Sequence, residues 1–319
     1  MTKLLNPNQL LILLLISISF FACGDEDPLF TPTGEPEMEE LEMTNTIIDI
    51  ALGDDQFSTL VAALQKADLV DALNGSDILT VFAPTNDAFN ALLSDLGASS
   101  LDDVEKETLR NILLYHVVAT KVESGDLTNG YVSTLSTGPG DNPVSLLVNI
   151  ENGVILNNGP KVTTADVQAD NGVVHVIDKV LVPPTVVDLA VSNGGFGSLV
   201  SALLRADLAT TLQGEGPFTV FAPTDAAFTG LMSDLSVASL DDIPLETLKN
   251  VLLYHVVSGN VRSTDLSNGD VATLNDANML TVNTDGGVTL NTDVNVILTD
   301  IQGTNGVVHV IDRVLSPAN

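Results

Sequence analysis

Tryptophan is absent from the 319 residues, tyrosine occurs three times, cysteine once, and 11 Lys and Arg stand against 42 Asp and Glu. One Cys excludes an intrachain disulfide framework and a thiolate zinc cluster. So few cations exclude nucleic acid as a partner, because neutralising phosphates needs clustered Lys and Arg. They also exclude electrostatic docking on an anionic membrane surface. Catalytic signatures are missing: there is no Gly-x-Ser-x-Gly elbow, no Walker loop and no His-Glu-x-x-His. Gly214-x-Gly216 runs into Pro217 and a strand-like stretch, so it does not open a phosphate-binding helix. What is present is 45% apolar against 17% charged residues, which excludes wholesale disorder. At about 150 residues per domain the length predicts two domains, each burying roughly two-thirds of its unfolded surface.

The N-terminus reads as an address. Lys3 precedes an apolar run from Leu10 to Phe21, too short to cross a bilayer, which takes ~20 residues as a helix. Residues 1–22 are therefore expected to be a signal peptide. The run ends in Phe20-Phe21-Ala22-Cys23, which resembles the lipobox of bacterial lipoproteins, with Phe20 where Leu is usual. That resemblance implies acylation of Cys23; the alternative is an ordinary cleaved secretory peptide. Residues 23–43 carry Asp25, Glu26, Asp27, Glu35, Glu37, Glu39, Glu40 and Glu42, no base, and Pro28, Pro32 and Pro36. A self-repelling, proline-punctuated segment is expected to be a tether, its ends roughly 25 Å apart if flexible. Gly24-Asp25-Glu26-Asp27 also resembles the acidic export signal of Bacteroidota surface lipoproteins. The expected location is the outer membrane or cell surface, with the lipid as the only membrane contact.

The rest is one unit written twice. Val81-Phe82-Ala83-Pro84-Thr85 recurs 139 residues on at Val220-Phe221-Ala222-Pro223-Thr224, and Leu113-Leu114-Tyr115-His116-Val117-Val118 recurs at 252–257. Residues 171–178 recur unchanged at 305–312, now offset by 134. The five-residue difference falls in a Gly/Pro/Asn/Asp cluster, Ser136 to Pro143, whose shorter counterpart lies around Asn275-Asp276-Ala277-Asn278. Such a cluster predicts a loop that tolerates length change. The expected domains are 44–183 and 184–319, and the Pro183-Pro184 junction predicts restricted motion between them.

Each unit reads helices first and strands last. Phe57, Leu60, Val61 and Leu64, repeated by Phe196, Leu199, Val200 and Leu203, follow the stripe of an amphipathic helix. Thr85 and Thr224 are placed to N-cap the next helix, Ser100 with Asp103 and Ser239 with Asp242 have capping-box spacing, and a helix through Leu109 and Ile112 should follow. β-branched stretches broken by Asn-Gly predict strands over 144–150, 154–156 and 173–177, the last apolar on both faces apart from His175 and so central to a sheet. The class is α+β.

Thr80-Val-Phe-Ala-Pro-Thr-Asn-Asp-Ala-Phe89, the Tyr115-His116 pair and residues 171–178 resemble the three landmark segments of the fasciclin domain family. Residues 219–228, Tyr254-His255 and 305–312 match them a second time, in order and at family spacing. The resemblance implies two tandem domains, each a wedge-shaped β-sandwich flanked by helices. It implies non-catalytic extracellular adhesion to matrix proteins, cell surfaces or polysaccharides. In the family the Tyr-His segment and an Asp-Ile pair before the last landmark are proposed contact motifs. They map here onto Tyr115, His116, Tyr254, His255, Asp300 and Ile301, with Asp166-Val167 as the second pair.

The residues themselves admit simpler readings. All four His sit at repeat positions with no His-x-x-His or His-x-x-x-His spacing, so buried rings bonded to backbone are expected rather than metal ligands. No metal or cofactor is expected. Asp285-Gly286-Gly287 with Asp293 could loop around Ca²⁺, but the spacing is not that of an EF-hand and predicts a hairpin. With only Tyr131 outside the landmarks, polysaccharide binding would rest on hydrogen bonds rather than aromatic platforms. A periplasm-facing scaffold that holds another envelope protein is the alternative to surface adhesion, and a small-ligand binder with an apolar pocket is a third. Oligomeric state is not legible.

Overall fold

The computed structural model describes residues 45–317; the expected signal peptide, Cys23 and the expected tether lie outside the described residues. In the first repeat, α1 (Ile47–Leu52), α2 (Ser58–Lys66) and α3 (Val70–Leu73) precede β1 (Leu79–Pro84), α4 (Asn86–Asp95), α5 (Lys106–Tyr115) and β2 (Val117–Val118). β3 (Gly130–Thr137), β4 (Pro143–Asn149), β5 (Ile155–Leu156), β6 (Val162–Ala169) and β7 (Gly172–Ile177) complete it. The second repeat has the same order: α6 (Val186–Ser192), α7 (Gly197–Arg205), α8 (Ala209–Gln213), β8 (Phe218–Pro223), α9 (Asp225–Asp234), α10 (Leu245–Tyr254) and β9 (Val256–Ser258). β10 (Gly269–Ala272), β11 (Met279–Asn283), β12 (Thr289–Leu290), β13 (Val294–Gly303) and β14 (Gly306–Ile311) follow.

Local chemistry sets most of these boundaries. Thr85 Oγ1 accepts from Ala88 N and Thr224 Oγ1 from Ala227 N, starting α4 and α9. The Ser100–Asp103 and Ser239–Asp242 boxes each start a single 3-10 turn, and α5 and α10 begin shortly afterwards. The predicted order is wrong in one respect. β1 lies among the helices, and it pairs in parallel with the last strand of its repeat, β7, as β8 does with β14. Both strands are buried along their whole length, so each satisfies its neighbour's backbone at the sheet centre.

Alternation along β1 and β7 separates two cores. Val81, Ala83, Val174 and Val176 face α1, α2, α4 and α5, whereas Phe82 and Ile177 pack with Tyr115, Val144, Leu146 and Leu156 against the second sheet. The second repeat divides identically, with Val220, Ala222, Val308 and Val310 on the helical side and Phe221 and Ile311 on the other. The first repeat has two sheets, β2-β1-β7-β6 and β3-β4-β5; in the second, β13 pairs with both β12 and β14 and joins them into one sheet of seven strands. Val294 pairs with Leu290 there. Its counterpart Pro160 has no N–H to give, so the same junction in the first repeat is thinner, held by an Ile155–Lys161 bridge and the bonds from Leu156 N to Pro160 O and from Val162 N to Val154 O.

The predicted tolerant loop is not free. Residues 138–142 lie against the end of β13 in the other repeat, where a Cβ on Gly138 would run into Gly303 O.

Candidate ligand-contact site

The Tyr-His landmarks point inward. Tyr115 is 0% and Tyr254 3% exposed, and His116 and His255 are each 2% exposed. Tyr115 closes α5 and donates its hydroxyl to Ser145 O at 2.8 Å while accepting from Asn157 Nδ2 at 3.0 Å. Burial holds its hydroxyl well above the ordinary range, so it stays protonated. Tyr254 repeats the bond, to Met279 O at 2.9 Å. His116 Nε2 accepts from Leu181 N at 2.9 Å, which leaves Nδ1 to donate to Ile112 O at 2.7 Å. His255 bridges Leu315 N and Val251 O in the same way. Burial pulls both imidazoles down to about 4. Each ring is a neutral staple between a helix end and the segment after the last strand.

The second pair of histidines takes the opposite tautomer. His175 Nδ1 accepts from Asp166 N at 3.2 Å, so Nε2 donates to Val122 O at 2.9 Å; His309 does the same with Asp300 N and Val261 O. Asp166 and Asp300 sit on β-bulges with φ of 60° and 63°, a left-handed conformation that Asp tolerates better than most residues. The bulge turns each carboxylate toward a serine. Asp166 accepts from Ser124 N at 2.7 Å and Ser124 Oγ at 2.5 Å, and these two bonds hold its carboxyl below the usual range. Asp300 takes the same bonds from Ser263 N and Oγ. There burial works against ionisation, but the Ser263 bonds, with Arg262 nearby, outweigh it.

Of the seven predicted contact residues, Tyr115, His116, Tyr254, His255 and Ile301 lie in the interior, with Ile301 in the helical core of its repeat. That corrects their reading as surface contacts, because a side chain already packed and bonded inside has nothing to offer a ligand. Only the two aspartates reach solvent. The Asp166 side chain is 36% exposed, whereas Asp300 is reduced to 18% by Arg262, whose Nε lies 3.7 Å away. Ser124 and Ser263 were overlooked in the sequence, although their 139-residue separation matches the repeat. Ser, His and Asp thus meet twice, but not as a Ser–His–Asp relay: the hydroxyl donates to the carboxylate, and both nitrogens of the imidazole are engaged by backbone.

Among the described residues no group of three or more His, Cys, Asp or Glu is placed to hold a metal ion. Asp285-Gly286-Gly287 turns the β11–β12 hairpin, with φ of 87° and 130° at the glycines, and Asp293 pairs with Arg313 Nη1 at 2.9 Å. No helix among the described residues is long and apolar enough to cross a membrane.

A helix-flanked α+β sandwich, duplicated with every polar staple repeated, defines the class. Residues 55–183 and 194–317 match the fasciclin domain, and the chain belongs to the fasciclin domain family as a tandem pair. It is 45% identical over 139 residues to protein sll1483 of Synechocystis, covering 44% of this chain and 74% of that protein. Human periostin is 31% identical over 254 residues, 78% of this chain but 29% of periostin. The match to porcine transforming growth factor-beta-induced protein ig-h3 spans 19% of that protein, so two of these three relatives are much longer than the matched part. A solved FAS1 domain pair from the insect cell adhesion molecule fasciclin I aligns with a TM-score of 0.47 at 22% identity, over 81% of this chain and 96% of that chain.

Proposed function

We propose that this protein is a non-catalytic adhesion protein that binds an extracellular protein or polysaccharide through the outer surfaces of its two fasciclin domains. The observation that carries this reading is the fate of the polar landmarks. In both copies the Tyr and His side chains are spent on bonds to the protein's own backbone and each Ser hydroxyl on its Asp carboxylate, so of these landmarks only the aspartates keep an edge in solvent and what the fold offers is surface. Family membership supports the same reading. Two domains held on one chain also raise avidity for a repetitive ligand without new contacts.

The proposed arrangement is a lipid anchor at Cys23, the acidic tether to residue 43, and domains over 44–183 and 184–319. Of the family's contact motifs, Asp166 is the first candidate, a choice supported by a side chain that is 36% exposed. The test is an array of matrix proteins and polysaccharides, with and without calcium, probed with the wild type, Asp166→Asn and Asp300→Asn. Asn keeps the left-handed backbone available. Saturable binding weakened at least tenfold by Asp166→Asn alone is the expected result. Binding that both variants retain would keep adhesion and discard the aspartates. No binding by folded wild type would sink adhesion and favour the envelope scaffold.

A further inference from the structure

The outer face of β3 and β4 is covered by the second domain, and its contacts are specific. Tyr131 packs against the second domain's helical core, and its hydroxyl accepts from Asn193 Nδ2 at 2.9 Å. Gln302 N donates to Ser145 Oγ at 3.0 Å, in a buried bond. Asn158 Nδ2 donates to Ser192 O at 2.5 Å. From the five-residue insertion, Asn142 Oδ1 accepts from Arg262 Nη1 at 3.0 Å, and Gly138 lies so close to Gly303 that a Cβ on Gly138 would meet Gly303 O at 2.3 Å. The buried landmark Tyr115 sets this face up from below, because its hydroxyl holds the backbone of Ser145 and the side chain of Asn157.

The repeat gives an internal control. At the same places the second domain carries Asp270 for Tyr131, Met279 for Ser145 and Thr292 for Asn158, and it lacks the insertion. Met279 is 55% exposed there. On the opposite side, the first domain carries Asp54 for Asn193, Glu123 for Arg262 and Ala169 for Gly303. Stacking a second copy in the same geometry would set Asp54 against Asp270 and Glu123 against the loop holding Asp276. Like charges brought together at an interface are unfavourable, most of all where water is excluded.

We infer that the β3–β4 face with its insertion is a docking surface for one partner, the second fasciclin domain of the same chain, and that the pair is closed to further stacking at both ends. The insertion acts as a clasp on the end of β13. The molecule therefore presents its surfaces at one fixed spacing, and copies do not assemble end to end through this junction.

The test uses the full chain and two variants. One is Tyr131→Asp with Arg262→Glu, which gives each domain the residue its twin tolerates at that place; the other replaces 138–142 by two residues. Amide hydrogen exchange is read at Gln302, whose N–H points out of the β13–β14 ladder into the first domain, with Val174 and Val308 as core references. Small-angle scattering reports the relation of the domains. Exchange at Gln302 at least tenfold faster in both variants, with the references unchanged and the scattering profile broadened, is the expected result. Unchanged exchange and scattering in both would overturn the clasp. Accelerated exchange at the references would signal domain unfolding, and in that case Asn193→Ala, which removes only the Tyr131 bond, decides by the same Gln302 readout. Sedimentation of wild type over a concentration series is expected to give one species; growth of end-to-end oligomers would overturn the closure.

Discussion

His116 and His255 carry the same physics at the scale of one side chain. Each accepts a backbone N–H at Nε2, so protonation there would set two donors face to face inside the core. The native pKa of about 4 lies below the unfolded value of about 6.5. Between those values the unfolded chain binds more protons, so the stability each imidazole supplies is complete above pH 6.5 and declines as the pH falls to about 4. The loss is on the order of 3 kcal/mol per histidine. Proton resonances of both rings in the folded protein should stay neutral down to about pH 4, and urea midpoints should fall across that window; rings titrating near 6.5 would contradict the assignment. That these histidines serve the fold was readable from their repetition and lack of ligand spacing. Which tautomer each takes was not, because that depends on the Leu181 and Leu315 amides, 65 and 60 residues away.

At the scale of elements, β1 and β7 decide the architecture. Gly172 opens β7 with φ of 150°, and a Cβ there would collide with Leu79 O at the start of β1. The parallel pair starts only because this residue has no side chain. Gly172→Ala should cost well over 2 kcal/mol, the strain and the lost pairing adding together. Gly153→Ala, where φ is 83° and nothing lies within 4 Å, should cost about 1 kcal/mol. Denaturant unfolding of the two variants checks the difference, and equal costs would rule out the collision. Asn-Gly between apolar runs did predict a turn here, and Val173 to Ile177 is central as its composition implied. The parallel partner was hidden because β1 is separated from β7 by most of the domain, and apolar periodicity says nothing about pairing.

For the whole molecule the dominant quantity is a formal net charge of −31. Most cations of the folded part are held locally: Lys66 donates to Leu101 O and Val104 O, and Arg205 to Leu240 O and Ile243 O. The surface is therefore a field of one sign, which opposes compaction. Raising salt from 0.01 to 0.15 M shortens the screening length from roughly 30 to 8 Å, so the thermal midpoint at pH 7 should rise over that range. A midpoint that falls would mean that attractive pairs outweigh the repulsion. The opposite trends with salt and with acid separate the surface charge from the buried histidines.

The sequence by itself determined that there are two copies of one α+β unit, where their helices start, which stripes are apolar, and that the polar landmarks recur. Those are local or periodic properties, carried by capping residues, hydrophobic spacing and the repeat. Only the tertiary structure decided that Tyr115 and His116 face inward, that Asp166 and Asp300 bind Ser124 and Ser263, and that residues 138–142 grip the other domain. Each of those outcomes depends on groups far apart in the chain meeting at bonding distance. A local pattern cannot specify such a meeting, because the same tyrosine or loop is equally compatible with solvent until the opposing surface arrives.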